Sequence, residues 1–216
     1  MNFTVIFDFD GTLADTFEIG MGIYNNHLAG KYGLPKDITE PLTKIEHRST
    51  SEVIKQYLRW WNIPVIGFVW EKYSFDYIPD AKLFPGIAEL VLELKNRGFR
   101  VGILSSNIHR NVVKCLENNN LNVFDFIKTN SPLGFKTRAL NKIFRQGLAN
   151  KDRVIYIGDE IKDIRSCRGA KIPVISVSWG LNHKDSLIDE KPDFFVNNVD
   201  ELSKLLLDDF PLIQAS

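Results

Sequence analysis

The sequence predicts an α/β fold, a doubly wound parallel sheet of the Rossmann-like kind with an inserted α-helical domain, and three observations predict it. Short β-rich runs alternate with segments of helical periodicity, residues able to do chemistry fall directly after those runs, and one long helix-rich stretch interrupts the alternation after the first run. The β-rich runs are Phe3 to Phe7, Arg100 to Leu104, Phe126 to Thr129, Val154 to Ile157 and Pro173 to Val177. Between them, Ile87 to Arg97, Arg110 to Asn118, Thr137 to Leu148 and Ile161 to Gly169 repeat apolar residues at helical spacing, with Gly98 placed as a helix C-cap.

The interruption runs from residue 16 to residue 81. Its expected helices are Phe17 to Tyr32, closed by Gly33 and followed by Pro35, then Ser51 to Trp61 and Gly67 to Tyr77. The aromatic-rich stretch from Trp60 to Tyr77 reads as a small helical core. Pro85-Gly86 marks the return to the sheet. The expected division is therefore an α/β core of residues 1–15 and 82–216 and a helical cap of residues 16–81.

Composition narrows the function. The chain has 216 residues, 44% of them hydrophobic, enough to bury a core without covalent staples. Lys plus Arg and Asp plus Glu each total 27, and no basic tract interleaves with aromatics, so a nucleic-acid surface is not expected and any phosphate recognition has to be local. Cys115 and Cys167 lie far apart in helical stretches and read as reduced structural thiols. The chain runs straight into its first strand without a basic leader, and no apolar run approaches the length of a membrane span, so the cytoplasm is the expected compartment and no membrane partner is expected. Monomer and homodimer both stay open.

The chemistry sits at strand ends. Asp8-Phe9-Asp10-Gly11-Thr12-Leu13 closes the first strand, and period-two alternation makes Asp8 and Asp10 project alike if the strand continues that far. Two carboxylates sharing one site repel, so either a cation sits between them or one keeps a proton. Gly158-Asp159-Glu160 closes the fourth strand, with Asp163 one helical turn beyond, and Asp8 and Asp159 suit Mg²⁺, which takes few protein carboxylates. Ser105-Ser106-Asn107 follows the second strand and offers hydroxyls and helix-start N–H groups to an anion, with Ser105 as the phosphate contact. Lys136, just before a helix, offers a fixed positive charge.

In this order the motifs at Asp8 to Leu13, Ser105, Lys136 and Gly158 to Asp163 resemble the haloacid dehalogenase superfamily across almost the whole chain, in the style of its phosphoglycolate phosphatase-like members. The resemblance implies a three-layered core with the first strand central, convergence of all four motifs, and a mobile cap inserted after the first strand. It further implies an aspartyl-phosphate on Asp8, with Asp10 as general acid and then base, Mg²⁺ held by Asp8, the Asp10 backbone carbonyl and Asp159, and a small-molecule phosphate ester as substrate. The dehalogenases that name the superfamily lack the second aspartate, so the intact pair favours phosphoryl chemistry.

Other residues carry weaker expectations. Gly11 supplies backbone freedom beside the phosphate, and Thr12 either orients Asp10 or stabilises the turn locally. Asn107 and His109 either line the cleft or cap a helix. Arg48, before an expected cap helix, either meets an anionic leaving group or is a solvated residue at the helix start. Asp163 is expected to support Asp159 or Lys136 rather than bind metal directly, with Glu160 similarly placed, and Trp179-Gly180 borders the site or packs. His27 and His183 show no metal-ligand pattern. A phosphomutase of the same superfamily would keep every motif; a non-catalytic binding module would have lost some. A receiver domain would lack the insertion and carry its acceptor on a later strand.

Overall fold

The computed structural model describes residues 3–36, 57–129 and 136–209. Arg48 and most of the expected helix from Ser51 to Trp61 lie outside these residues. Six parallel strands form the sheet: β1 (Thr4–Phe7), β2 (Arg100–Leu104), β3 (Phe126–Lys128), β4 (Val154–Gly158), β5 (Val174–Val177) and β6 (Phe194–Val196), in the order β3-β2-β1-β4-β5-β6. Thr4 to Phe7 pair with Arg100 to Ile103 on one side and with Val154 to Ile157 on the other, so β1 is central. The strand order reverses beside it, between β1 and β4, and a doubly wound sheet gathers its ligand groups at such a point.

Strand side chains alternate between two cores. Val5, Phe7, Ile103, Ile155 and Ile157 join one, beneath the helices Ile87–Asn96, His109–Asn118 and Val199–Lys204; Ile6, Leu104 and Tyr156 join the other, beneath Lys136–Arg145 and Ile161–Ala170. In chain order we number the α-helices α1 (Phe17–Ile23), α2 (Ile63–Tyr77), α3 (Ile87–Asn96), α4 (His109–Asn118), α5 (Lys136–Arg145), α6 (Ile161–Ala170), α7 (Lys184–Asp189) and α8 (Val199–Lys204). Burial on both faces explains why the strands read as continuous apolar runs rather than alternating ones. It also raises the thiol of Cys115 to about 11, helped by the charge of Asp10, and pushes that of Cys167 up, so both free cysteines stay protonated in the core.

The helix ends reflect local chemistry. Gly98 (φ 83°) closes α3, its N–H reaching Lys95 O at 2.9 Å while Phe99 N–H reaches Leu94 O at 3.0 Å. α2 begins four residues before its expected start, because Asn62 and Pro64 open it ahead of Gly67. The first inserted helix ends earlier than expected: α1 passes into a wider turn over Tyr24–Leu28, and Gly30 (φ 69°) then folds the chain back so that its N–H meets Pro35 O at 3.1 Å. β6 has no counterpart among the expected strands.

Between α1 and α2, Met21, Tyr24, Leu28 and Leu34 form a separate apolar cluster with Phe17, Ile66, Val69 and Trp70. His27 lies in this interface, stacked on Tyr73 with ring centroids 3.5 Å apart. The outgoing and returning chains pair where they leave the sheet: Asp15 N–H donates to Lys82 O at 2.9 Å and Phe84 N–H to Leu13 O at 3.0 Å.

Gly102 in β2 faces the ring of Phe126, which a Cβ would meet at 2.2 Å. Overpacking a core of this kind costs about 1–3 kcal/mol, so Gly102→Ala should lower the unfolding free energy by that amount in a urea titration.

Candidate active site

β1 stops at Phe7, and the strand does not continue through Asp10. Phe9 O accepts N–H bonds from Leu13 and Ala14, both at 3.0 Å, in a tight turn that Gly11 permits with φ 70°. The condition for Asp8 and Asp10 to project alike, a strand running through both, is therefore not met, and the two carboxylates have different partners.

Asp8 is buried. Its Oδ1 accepts the N–H of Phe9 at 2.8 Å, and its Oδ2 is paired with the Lys136 ammonium. Lys136 is buried too, and bonds Asp163 Oδ1 at 2.5 Å. It stands within the first turn of α5 rather than before it. Burial alone would lower the ammonium's pKa, but Asp163 and Asp8 outweigh it and hold the group well above its ordinary range.

Asp163 thus bonds Lys136. Its Oδ2 also accepts the N–H of Glu160 at 3.2 Å in a capping box that opens α6. Glu160 pairs with Lys162. Burial raises the Asp163 carboxyl to about 6, the Lys136 charge opposing and the Asp8 charge adding.

Asp159 is the third buried carboxylate. Thr12 Oγ1 donates to its Oδ1 at 2.9 Å and Leu181 N–H to its Oδ2 at 2.8 Å. The expectation that Thr12 orients Asp10 is corrected here: the turn at Gly11 directs the hydroxyl toward β4 instead. Asp159 is gripped between two glycines, since a Cβ on either Gly11 or Gly180 would come within 2.2 Å of it. Trp179 ties the same loop down by donating its Nε1–H to Thr12 O at 3.3 Å, so the residue both packs and borders the site.

Asp10 has neutral partners. Thr16 Oγ1 and Asn107 Nδ2 donate to its Oδ1 at 2.9 and 2.8 Å, and Ser105 Oγ approaches Oδ2 at 3.4 Å. Burial of the carboxyl, then the Asp8 charge, raise its pKa, while the Thr16 and Asn107 bonds pull it back. Ser105 accepts the N–H of Asn107 at 2.9 Å, and Ser106 lies partly exposed in the same turn. His109 points elsewhere, to Thr129 Oγ1 at 3.3 Å, and His183 lies exposed beside Asp185. Sequence reasoning missed Thr16, Leu181 and Lys162; only proximity in the fold singles them out.

Asp8, Asp159 and Asp163 present carboxylate oxygens all within 4.8 Å of one another. Burial raises the Asp159 carboxyl well above the usual range, with the charges of Glu160, Asp8 and Asp163 adding to it. Lys136 and Lys162 offset this negative charge only in part, two ammonium groups against the carboxylates of Asp8, Asp159, Glu160 and Asp163, and an all-oxygen donor set with surplus charge suits a hard divalent cation.

A family model described as haloacid dehalogenase-like hydrolase matches residues 5–177. Over 201 residues the chain is 29% identical to the phosphoglycolate phosphatase of Synechococcus elongatus, spanning 92% of this chain and 94% of that protein. Over 220 residues it is 27% identical to the pyrophosphatase PpaX of Bacillus anthracis, spanning 95% and 96%. A crystal structure of a predicted phosphatase from Clostridium acetobutylicum shares the fold with a TM-score of 0.80 at 24% identity, over 96% of this chain and 100% of that one. Among the described residues no helix is long and apolar enough to cross a membrane.

The buried charges have two measurable consequences. Breaking a buried pair from one side costs about 3–5 kcal/mol, so Lys136→Met should lose that much unfolding free energy in urea at neutral pH. Asp163 at about 6 stands above the about 3.9 of an unfolded Asp, so the folded state holds this proton more tightly. That stabilisation is complete below about pH 4 and is lost as pH rises through about 6. A cation needs ionised carboxylates, so any rise in Tm on adding a divalent cation should be small near about pH 5 and grow through neutrality in a thermal-shift series.

Proposed function

The chain belongs to the haloacid dehalogenase-like hydrolases, and from that premise we propose that it is a Mg²⁺-dependent phosphatase acting on a small-molecule phosphate monoester through Asp8. The observation that carries this reading is the division of the two carboxylates: Asp8 is paired with Lys136, whereas Asp10, two residues on, is held by hydroxyl and amide donors with its pKa raised. A general acid has to hold a proton, which the raised pKa of Asp10 favours, and the Lys136 ammonium stands against the Asp8 carboxyl that attacks. The phosphatase and pyrophosphatase among its relatives support hydrolytic phosphoryl transfer.

An Asp8 oxygen attacks phosphorus as the bond to the leaving oxygen breaks, and Asp10 gives that oxygen its proton. Water then attacks the phosphorus of the aspartyl-phosphate, Asp10 takes the water's proton, and inorganic phosphate leaves with Asp8 restored. Lys136 offsets negative charge at Asp8 throughout. Ser105, Ser106 and Asn107, with the backbone of Gly11 and Thr12, receive the phosphoryl oxygens. Mg²⁺, held by Asp8, Asp159 and the Asp10 backbone carbonyl, would supply charge neutralisation between phosphate and carboxylate.

Residues 16–81 serve as the cap in this reading, and the backbone bonds between residues 13–15 and 82–84 support that division. The cytoplasm is the compartment that suits two buried free thiols.

Acid-quenching the protein with Mg²⁺ and p-nitrophenyl phosphate tests the assignment by intact mass. The wild type should gain one hydroxylamine-sensitive phosphoryl group; Asp8→Asn should gain none, and equal labelling of both would refute the nucleophile. Asp10→Asn should turn over slower by about 10²-fold or more, the usual share of acid/base catalysis.

A further inference from the structure

Asn111 is fully buried in the first turn of α4, on the face that also carries Val112, Cys115 and Leu116. Its Nδ2 donates to Asn107 Oδ1 at 3.2 Å and to Ser74 Oγ of α2 at 3.1 Å. Among the described residues its own Oδ1 is buried without a hydrogen-bond donor. An apolar side chain of similar size would fill this space without stranding an oxygen, so packing does not explain the amide. Helix capping does not explain it either, because neither polar atom of its side chain bonds the backbone.

The polarity of its neighbours does. Asn107 Nδ2 donates to Asp10 at 2.8 Å, and Asn107 Oδ1 accepts the N–H of Ile108 at 2.7 Å, so the Asn107 amide faces only one way. Whatever meets its oxygen from the helix side has to be a donor, and Asn111 is that donor. Ser74, also fully buried, anchors Asn111 from α2 while donating its own proton to Glu71 O at 3.2 Å.

Resting on the phosphatase reading, we propose that Asn111 is a positioning residue: it fixes the Asn107 amide against Asp10, with Ser74 as its anchor in the inserted helical segment. The acid/base carboxyl is thereby oriented from beyond the sheet that carries it, and Asn111 itself touches no reacting atom.

The leaving group separates this role from a structural one. p-Nitrophenolate departs with little help from an acid, whereas an alkoxide needs the proton, so losing the orientation of Asp10 should hurt alkyl esters selectively. For Asn111→Leu, kcat/KM on ethyl phosphate should fall by about tenfold relative to kcat/KM on p-nitrophenyl phosphate, a fraction of the full acid contribution. Asn111→Asp, which keeps the shape but replaces the donor with an acceptor, should show the same selective loss. Ser74→Ala should show a smaller one that adds little in the double variant with Asn111→Leu. Any one folded variant decides: an equal fall on both esters, or none, overturns the positioning role. If the wild type hydrolyses neither ester and takes no phosphoryl group on acid quench, the phosphatase reading falls and this inference with it. Normal labelling of Asp8 with no leaving-group selectivity sinks this inference alone.

Discussion

The Lys136 ammonium, buried between Asp8 and Asp163, is the interaction on which the rest of the site depends. A charge withdrawn from water is tolerable only when its partners are close and themselves held, and each partner here is fixed by a separate element. Asp8 closes the central strand, Asp163 belongs to the capping box of α6, and Lys136 arrives on α5. The last two helices approach closely because Gly169 has no side chain: a Cβ there would meet Thr137 Oγ1 at 3.1 Å, and that hydroxyl bonds Ser166 O at 3.2 Å. Helix packing on one face of the sheet thus delivers a positive charge to the end of β1.

That charge also makes two neighbouring aspartates unlike. Alternation along a strand would have given Asp8 and Asp10 one environment. The turn at Gly11 breaks the symmetry, leaving Asp8 with a cation and Asp10 with Thr16, Asn107 and Ser105. The same turn carries Thr12 across to Asp159, so a single left-handed residue sets the partners of three carboxylates. Gly180 closes on Asp159 from the opposite loop, leaving no room for a side chain in either backbone.

The sheet was legible because burial on both faces writes strands as apolar runs, and β2 falls on its expected residues. β6 was not, since Phe194–Val196 offers three residues, two of them half-buried, between Asp193 and Asn197. The carboxylates, Ser105 and Lys136 were legible because a parallel sheet brings the residues just past its strands to one edge. Their pairing was not. Thr12 serves Asp159 and Thr16 serves Asp10, and nothing in the spacing of these threonines separates them until the turn geometry is known. Asn111 illustrates the same limit of pattern: in a helix it counts as one more polar residue beside a hydrophobic face, and only the fixed orientation of Asn107 gives its amide a task.

The inserted segment meets the core through contacts of a different kind. Arg110 on α4 reaches Glu71 O at 3.3 Å and lies 4.2 Å from the Phe75 ring centroid, both near the surface, where such interactions contribute about 1 kcal/mol or less. The connection at residues 78–81 is held more firmly, by Asn118 on Pro79 O and Asn119 on Ala81 O, at 3.0 and 2.9 Å. The base is thus held by side chain–backbone bonds of Asn118 and Asn119, and the contacts of Arg110 higher up are exposed ones. The buried bond between Ser74 and Asn111 lies within the weakly held part. Movement of α2 away from α4 would therefore break the support of Asp10 while leaving Asp8, Lys136 and Asp163 in place. Asp10 is tied through Asn107 and Asn111 to the position of α2; Asp8, paired with Lys136, is not.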